Sequence, residues 1–588
     1  MARTRIFSRL RRIAQQLQLP SVDVVAVDET ALRAARRRFL QEASGIVAGV
    51  GLASGSAVLA GLTAGCDGAR APSKRVVENQ GRIAIIGAGL AGLHCAYRLA
   101  EAGVTAKVFE SSSRIGGRTF SERQRFAPQV VELGGEFIDS NHVTLQTLAS
   151  ELEIVLDDRQ ADLDPTTEVD TWWIAGAKVP EQTVVEQFTH VAPLMAQLLE
   201  QADSDEAKFE ELDNISLADW LDEHVPVAEF PQLHAVLRAA YRGEYGLEPE
   251  QQSVLNLIYL IGSDDPDPFR IFGESDERYH THNGSQTFCE RLLQEWQGEV
   301  QLGTRLVSAR RSGEVVFALQ FERDGRRFEE EFDHVVFALP FSTLRDVDLS
   351  ALGLPEDKLT MIQEIGYGTN AKVMGRFSQR VWRQAHDASG SVTSDGALQQ
   401  CWDSSPGQPG SQGVLTNFLG GNQGVASGNG SAGDWYAHVL DDVEAIFPGT
   451  RATYVAGSAV RMHWPTYPHS KGSYACYKPG QWAFWSTEGE RVGNLHFCGE
   501  HTSLDFQGYM EGAAETGSRA AGEILETLAV TPSAVHRGLL ELWRDLPRRV
   551  VGAGSSGSGR PAVLERRRRL QQRIAALLDV RHVPESVT

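Results

Sequence analysis

"IAIIGAGLAGLHCAYRLAEAGVTAKVFE", residues 83–110, decides the fold of this chain. An apolar run from Ile83 to Ile86 leads into Gly87-x-Gly89-x-x-Gly92, then into a stretch with helical periodicity, then into a second apolar run that ends at Glu110. Strand, glycine turn, helix and strand in that order predict the βαβ start of an α/β domain that binds a dinucleotide. The first glycine permits the tight turn, the second lets backbone approach a pyrophosphate, and the third lets the helix pack closely. Glu110, 23 residues after Gly87, stands where a carboxylate accepts ribose hydroxyls and repels a 2′-phosphate. This stretch alone leaves NAD and FAD open.

A chain of 588 residues is long enough for two or three domains, and 42% hydrophobic with 23% charged residues is an ordinary globular composition. The net charge of −21 is unevenly spread. There are 10 basic against 5 acidic residues in 1–71 and 11 against 5 in 530–588, which leaves −32 on the stretch between. Such a body repels nucleic acid and anionic lipid and draws cationic ligands. Six cysteines show neither a CxxC pair nor metal-ligand spacing, so neither a disulfide framework nor a metal site is expected. Cys95 and Cys498, in apolar runs, read as buried free thiols.

Residues 1–71 read as an address. Arg36, Arg37 and Arg38 precede Phe39 and Leu40, and the uncharged run "GIVAGVGLASGSAVLAGLTAGC" (45–66) follows. The order resembles a twin-arginine export signal, which predicts a periplasmic or extracellular protein. Cleavage after "ARA" (69–71), lipidation at Cys66 and retention of the run as a membrane anchor stay open. At the other end, 529–588 is a basic extension with a Gly/Ser linker (552–559) and a short amphipathic helix over 564–580 bearing Leu564, Leu570, Ile574 and Leu578. Between roughly 180 and 260 the periodicity is helical. "EVQLGTRLVSARR", "VVFALQFER" and "FDHVVFALP" read as strands, and 404–413 and 420–434 read as loops.

Further motifs favour FAD. "SSRIGGRTFS" (112–121) adds a glycine pair with Arg114, Gly117 and Arg118, and "VELGGEFID" (131–139) adds Gly134, Gly135 and Glu136. "HNGSQTFCERL" (282–292), "NAKVMGRFSQRVW" (370–382), "KGSYACYKPG" (471–480) and "NLHFCGEHTSLDFQGYMEGAAETGSRAAGEIL" (494–525) follow in order. Together, over about 80–528, they resemble the flavin-containing amine oxidase superfamily, which includes monoamine, polyamine and L-amino-acid oxidases. The resemblance implies an α/β fold with a discontinuous, Rossmann-like FAD domain (79–150, 276–345 and 464–528) and a mixed α+β substrate domain (151–275 and 346–463).

It also implies roles. Gly499 and Glu500 approach the ribityl or pyrophosphate portion of a non-covalent FAD, and backbone N–H groups near Tyr509 and Met510 face the flavin. Tyr474 and Tyr509 flank the substrate amine, and Lys372 holds a water against flavin N5. Ser473 stands where some monoamine oxidases carry the cysteine that bonds the flavin. The implied reaction is hydride transfer from the carbon bearing the amine, hydrolysis of the imine, and reduction of O2 to H2O2. In many L-amino-acid oxidases an arginine follows the Gly134-Gly135 motif, where this chain has Glu136 and Phe137, so the substrate is expected to be an amine. A basic L-amino acid clamped by Arg270, a dehydrogenase, and a non-catalytic flavin protein remain alternatives, and oligomeric state is left open.

Overall fold

In the computed structural model, which describes residues 81–164 and 166–544, the opening strand Ile83–Ile86 is buried along its whole length. Four consecutive apolar side chains leave no polar face, as a parallel strand covered on both sides requires. It lies at the centre of a five-stranded sheet ordered Val300–Gln301, Lys107–Phe109, Ile83–Ile86, His334–Phe337 and Leu495–Phe497. All neighbours are parallel, and Ile86 is in register with Phe109 on one side and Phe337 on the other. The chain therefore leaves the central strand beside a topological switch point, where open α/β sheets place their ligand crevice.

The helix Leu90–Glu101 starts directly at that point, and the helix Met510–Thr527 packs on it. Leu93, Leu99, Val108, Phe288, Leu292, Ala520 and Ile524 share one buried cluster, so segments spread over more than 400 residues of chain build one core. Each such large aliphatic or aromatic side chain contributes about 1.5–3 kcal/mol on burial. The five described cysteines, Cys95, Cys289, Cys401, Cys476 and Cys498, are buried free thiols.

A second sheet has seven strands, ordered Val460–His463, Ala371–Phe377, Gly413–Leu419, Gln400–Asp403, Ala388–Ser394, Glu168–Ile174 and Ala177–Val179. Pairing is antiparallel except between Ala388–Ser394 and Glu168–Ile174. Lys372 pairs with Phe418, and Phe418 with Gln400 on the next strand. Two residues on, Met374 pairs with Thr416 and Thr416 with Trp402. The period of two puts both rows on one face. The helical stretch expected near 180–260 is present as Glu181–Ser204, Glu206–Asp213, Leu217–His224, Pro231–Tyr245 and Leu255–Leu260.

Two expectations need correction. "EVQLGTRLVSARR" is not one strand: Val300–Gln301 joins the parallel sheet, while Arg305–Arg311 joins a separate three-stranded sheet. Between them Gly303 turns at φ +64°, and the Thr304 N–H donates to the Glu110 carbonyl at 2.8 Å. The glycine-rich stretch 420–434 is not all loop, for it contains the helix Gly421–Ala426 and the start of Ala432–Ile446. Ser431 and Asp434 form a capping box at that start. Gly424 approaches Thr369 so closely that a Cβ would lie 2.2 Å from its carbonyl oxygen. Tertiary proximity, not helix propensity, selects those glycines.

Among the described residues, no helix is long and apolar enough to cross a membrane. The export signal, Cys66, the Gly/Ser linker and the amphipathic stretch 564–580 lie outside the described residues. The described start of the C-terminal extension forms a helix, Ala534–Arg544, whose Leu539 and Leu540 are buried and which packs against Met510–Thr527.

Candidate active site

A cavity of about 690 Å³ has on its wall the glycine turn, the start of the closing helix and the facing strands of the seven-stranded sheet. Gly87 has φ +111°, and a Cβ there would lie 2.6 Å from the Ala338 carbonyl oxygen. Gly92 lies behind the wall, where a Cβ would meet the Gly87 carbonyl oxygen at 2.0 Å, so the helix seats directly on the turn. Gly89 differs. It lines the cavity, and the nearest atom to a Cβ placed there is the Gly116 carbonyl oxygen at 4.0 Å. Its missing side chain keeps the cradle itself open, as close approach of a pyrophosphate to backbone requires.

Glu110 sits on the wall with its carboxylate fixed, Oε2 accepting from Ala88 N at 2.9 Å and Oε1 from Ser112 N at 2.8 Å. Gly117, Arg118, Gly134, Gly135, Gly499, Glu500, Tyr509 and Met510 also line the cavity. The helix Met510–Thr527 begins there without a side-chain cap on its first N–H groups, and the positive end of its dipole faces the space. The open cradle, the anchored Glu110 and this helix end fit an adenine dinucleotide lying along the wall. Arg114 is not on the wall. Its guanidinium stacks over Phe120 at 3.7 Å and donates to the carbonyls of Ile115 and Gly117, so it braces the loop, and the expectation of direct cofactor contact is corrected to that.

Glu500 is a hub. Oε1 accepts from Arg118 at 2.7 Å and Ala475 N at 3.3 Å, and Oε2 accepts from Gly508 N at 2.7 Å. This ties the glycine-pair loop, the Ser473–Tyr474 segment and the closing helix together. Tyr474 donates its hydroxyl to the Glu244 carbonyl at 2.5 Å, and Gly508 lies against its ring. Tyr509, the next residue, lines the same cavity with its ring edge-on to His142 at 5.1 Å.

Lys372 corrects a further expectation. Its ammonium has three N–H groups, and they donate to Glu136 Oε2 at 2.7 Å, Gly134 O at 2.9 Å and Glu132 O at 3.1 Å. Lys372 therefore lines the cavity as a saturated, paired cation rather than as a donor open to water. Glu136 is likewise engaged at both carboxylate oxygens. Its Oε1 accepts from Ser404 Oγ at 2.9 Å and from Trp402 Nε1 at 3.2 Å. Burial alone would raise the Glu136 carboxyl, but Lys372, then His280 and Arg159, hold it below the ordinary value. The adjacent Glu132, fully buried, is pushed up to about 8 by burial, against the pull of the Ser285 N–H and Ser121 hydroxyl bonds.

Arg270, the candidate carboxylate clamp, is on the wall but held between Asp264 and Glu274. Carboxylates outnumber lysines and arginines along the cavity, with Asp170, Glu244 and Glu277 among them. Trp402, Ser404 and Glu244 escaped the sequence reading. Nothing in their spacing marks them, because strand register alone brings Trp402 to the face of Lys372.

The family described as flavin containing amine oxidoreductase matches residues 90–525. The chain is 26% identical to (S)-6-hydroxynicotine oxidase of Paenarthrobacter nicotinovorans over 75% of this chain and 99% of that protein. It is 24% identical to pseudooxynicotine dehydrogenase of a Pseudomonas species, over 84% and 96% of the two chains. The solved structure of cyclohexylamine oxidase from Brevibacterium oxydans IH-35A is similar in fold, with TM-score 0.65 and 22% identity over 76% of this chain and 99% of that one.

Proposed function

This chain belongs to the family of flavin containing amine oxidoreductases and takes FAD as its cofactor, and from that premise we propose that it oxidises an amine without a carboxylate. The observation that carries the substrate choice is the capture of Arg270 by Asp264 and Glu274. Two carboxylates at hydrogen-bond distance already outweigh the single positive charge of this guanidinium, so it exerts no net attraction on a third. Arg118 donates through Nη1 to Glu500 and to the Ser473 carbonyl, which places it with the dinucleotide cradle and pairs its charge with a carboxylate.

FAD, when bound, supplies a two-electron acceptor for hydride from the carbon bearing the amine, and O2 carries the electrons on to H2O2. The chain supplies the rest. Gly87, Gly89, Gly117, Gly134, Gly135, Glu110, Arg118, Gly499, Glu500 and the Met510 helix start hold the dinucleotide. Tyr474 and Tyr509 wall the substrate end, exclude water and align the reacting carbon. The acidic wall favours a cationic substrate on approach.

FAD is held without a covalent bond. Ser473 Oγ donates to Asn370 Oδ1 at 2.6 Å, and a serine hydroxyl lacks the thiolate that attack on the flavin needs. Cys476 is fully buried, with its Sγ 3.6 Å from Asn256 Nδ2. We also propose export by the twin-arginine route, supported by Arg36 to Leu40 and the uncharged run after them. Replacing Arg36, Arg37 and Arg38 by lysine is then expected to hold the protein in the cytoplasm, and unchanged export on fractionation would remove this reading.

The test of function is peroxide release under air from matched pairs, each an amine and the amino acid carrying the same side chain. Turnover of the amine member is expected. Turnover of the amino acid alone would overturn the substrate assignment.

A further inference from the structure

Lys372 and Glu136 form an ion pair on the cavity wall, with the Glu136 and Lys372 side chains 2% and 6% exposed and 2.7 Å apart. Both ends are locked. The ammonium also donates to two carbonyls, and the far carboxylate oxygen accepts from Ser404 and Trp402. The Trp402 ring lies 5.2 Å from the same ammonium, while its own ring faces Phe137 and Phe418 at 5.5 and 5.4 Å. Neither charge can swing away without breaking several hydrogen bonds in a low-dielectric setting. Lys372 thus presents to the cavity a cation whose charge is cancelled within one hydrogen-bond length.

We propose that Glu136 is a positioning residue that sets the reduction potential of the bound flavin by neutralising Lys372. The inference rests on the FAD reading above. Two electrons and one proton convert oxidised flavin into a reduced form with one more negative charge. An uncompensated ammonium on the wall stabilises that form, and a paired ammonium does so far less. Glu136 therefore keeps the potential below the value that Lys372 alone would impose.

The experiment is a reductive titration of the holoenzyme at pH 7, below the range in which the adjacent Glu132 ionises, against a reference dye, after measuring FAD content. Glu136→Gln keeps the shape and a hydrogen-bond acceptor for Lys372 but removes the negative charge. It is expected to favour reduced over oxidised flavin by about tenfold, a rise of about 30 mV for a two-electron couple. Lys372→Met is expected to shift the potential the other way, and the double variant to return near the parent. Glu136→Asp, which keeps the charge, is expected to stay close to the parent. If Glu136→Gln does not fold, Lys372→Met against the double variant reads the same charge, with the double variant expected higher. A purely structural role moves none of these in opposite directions. Single variants that shift the same way, or a Glu136→Gln potential at or below the parent, overturn the inference while FAD content stays normal. Parent protein that retains no flavin overturns the FAD reading itself and the inference with it.

Discussion

Gly517 of the closing helix lies against Ala91 of the opening helix so tightly that a Cβ on Gly517 would stand 2.3 Å from the Ala91 carbonyl oxygen. The two helices that flank the dinucleotide cradle, from opposite ends of the chain, thus touch backbone to backbone.

Gly517→Val is expected to force them apart and to cost about 1–3 kcal/mol or more, as other overpacked cores do. Because the cradle is built on both helices, FAD retention should fall with melting temperature. Differential scanning calorimetry and flavin content of purified protein check this, and an unchanged melting point would show that the contact yields freely.

Glu132 gives the protein a pH signature. Its ordinary carboxyl value is 4.5 and its folded value about 8. The folded state therefore holds a proton that the unfolded state has lost between those values. The resulting stability is fully present below about pH 4.5 and is lost as pH rises toward about 8, at up to about 1.4 kcal/mol per pH unit. The groups facing it are Ser121, Ser285, Glu136, Lys372 and His280. Urea unfolding between pH 5 and 9 should show a falling trend that Glu132→Gln flattens. Identical slopes in the two proteins would assign the trend to other groups.

Arg270 is expected to act as a brace and not as a clamp. Arg270→Gln should loosen the segment from Asp264 to Glu274 and lower stability by about 1–3 kcal/mol, the cost of stranding the buried Asp264 carboxylate, with the more exposed Glu274 adding little. The ratio of amine to amino-acid turnover should stay within about twofold, or about 0.4 kcal/mol. A selective loss of amino-acid turnover in steady-state kinetics would return Arg270 to the substrate.

Acid precipitation is expected to leave yellow flavin in the supernatant and a colourless pellet. Cys476→Ala should behave identically, because the thiol points toward Asn256 and is absent from the cavity wall. Flavin fluorescence that stays with the denatured parent chain on a gel, and is lost in Cys476→Ala, would reverse the assignment.

The sequence by itself determined the opening strand, the turn through Gly87, Gly89 and Gly92, the helix behind it and Glu110 at the end of the second strand. Those features rest on local causes: a backbone angle only glycine tolerates, an apolar run with no polar face, a carboxylate at a set distance along one βαβ unit. It also marked Lys372, Tyr474, Tyr509 and Glu500, which the fold brings to one cavity. Tertiary structure alone decided what those groups do there. Lys372 and Glu136 are 236 positions apart, and only the register of the Ala371–Phe377, Gly413–Leu419 and Gln400–Asp403 strands sets Trp402 beside them. Whether Arg270 clamps a substrate or braces a loop depended on where Asp264 and Glu274 came to rest. Short-range sterics are written in neighbouring residues, whereas the partner of a buried charge is chosen by whichever segments the core packs together.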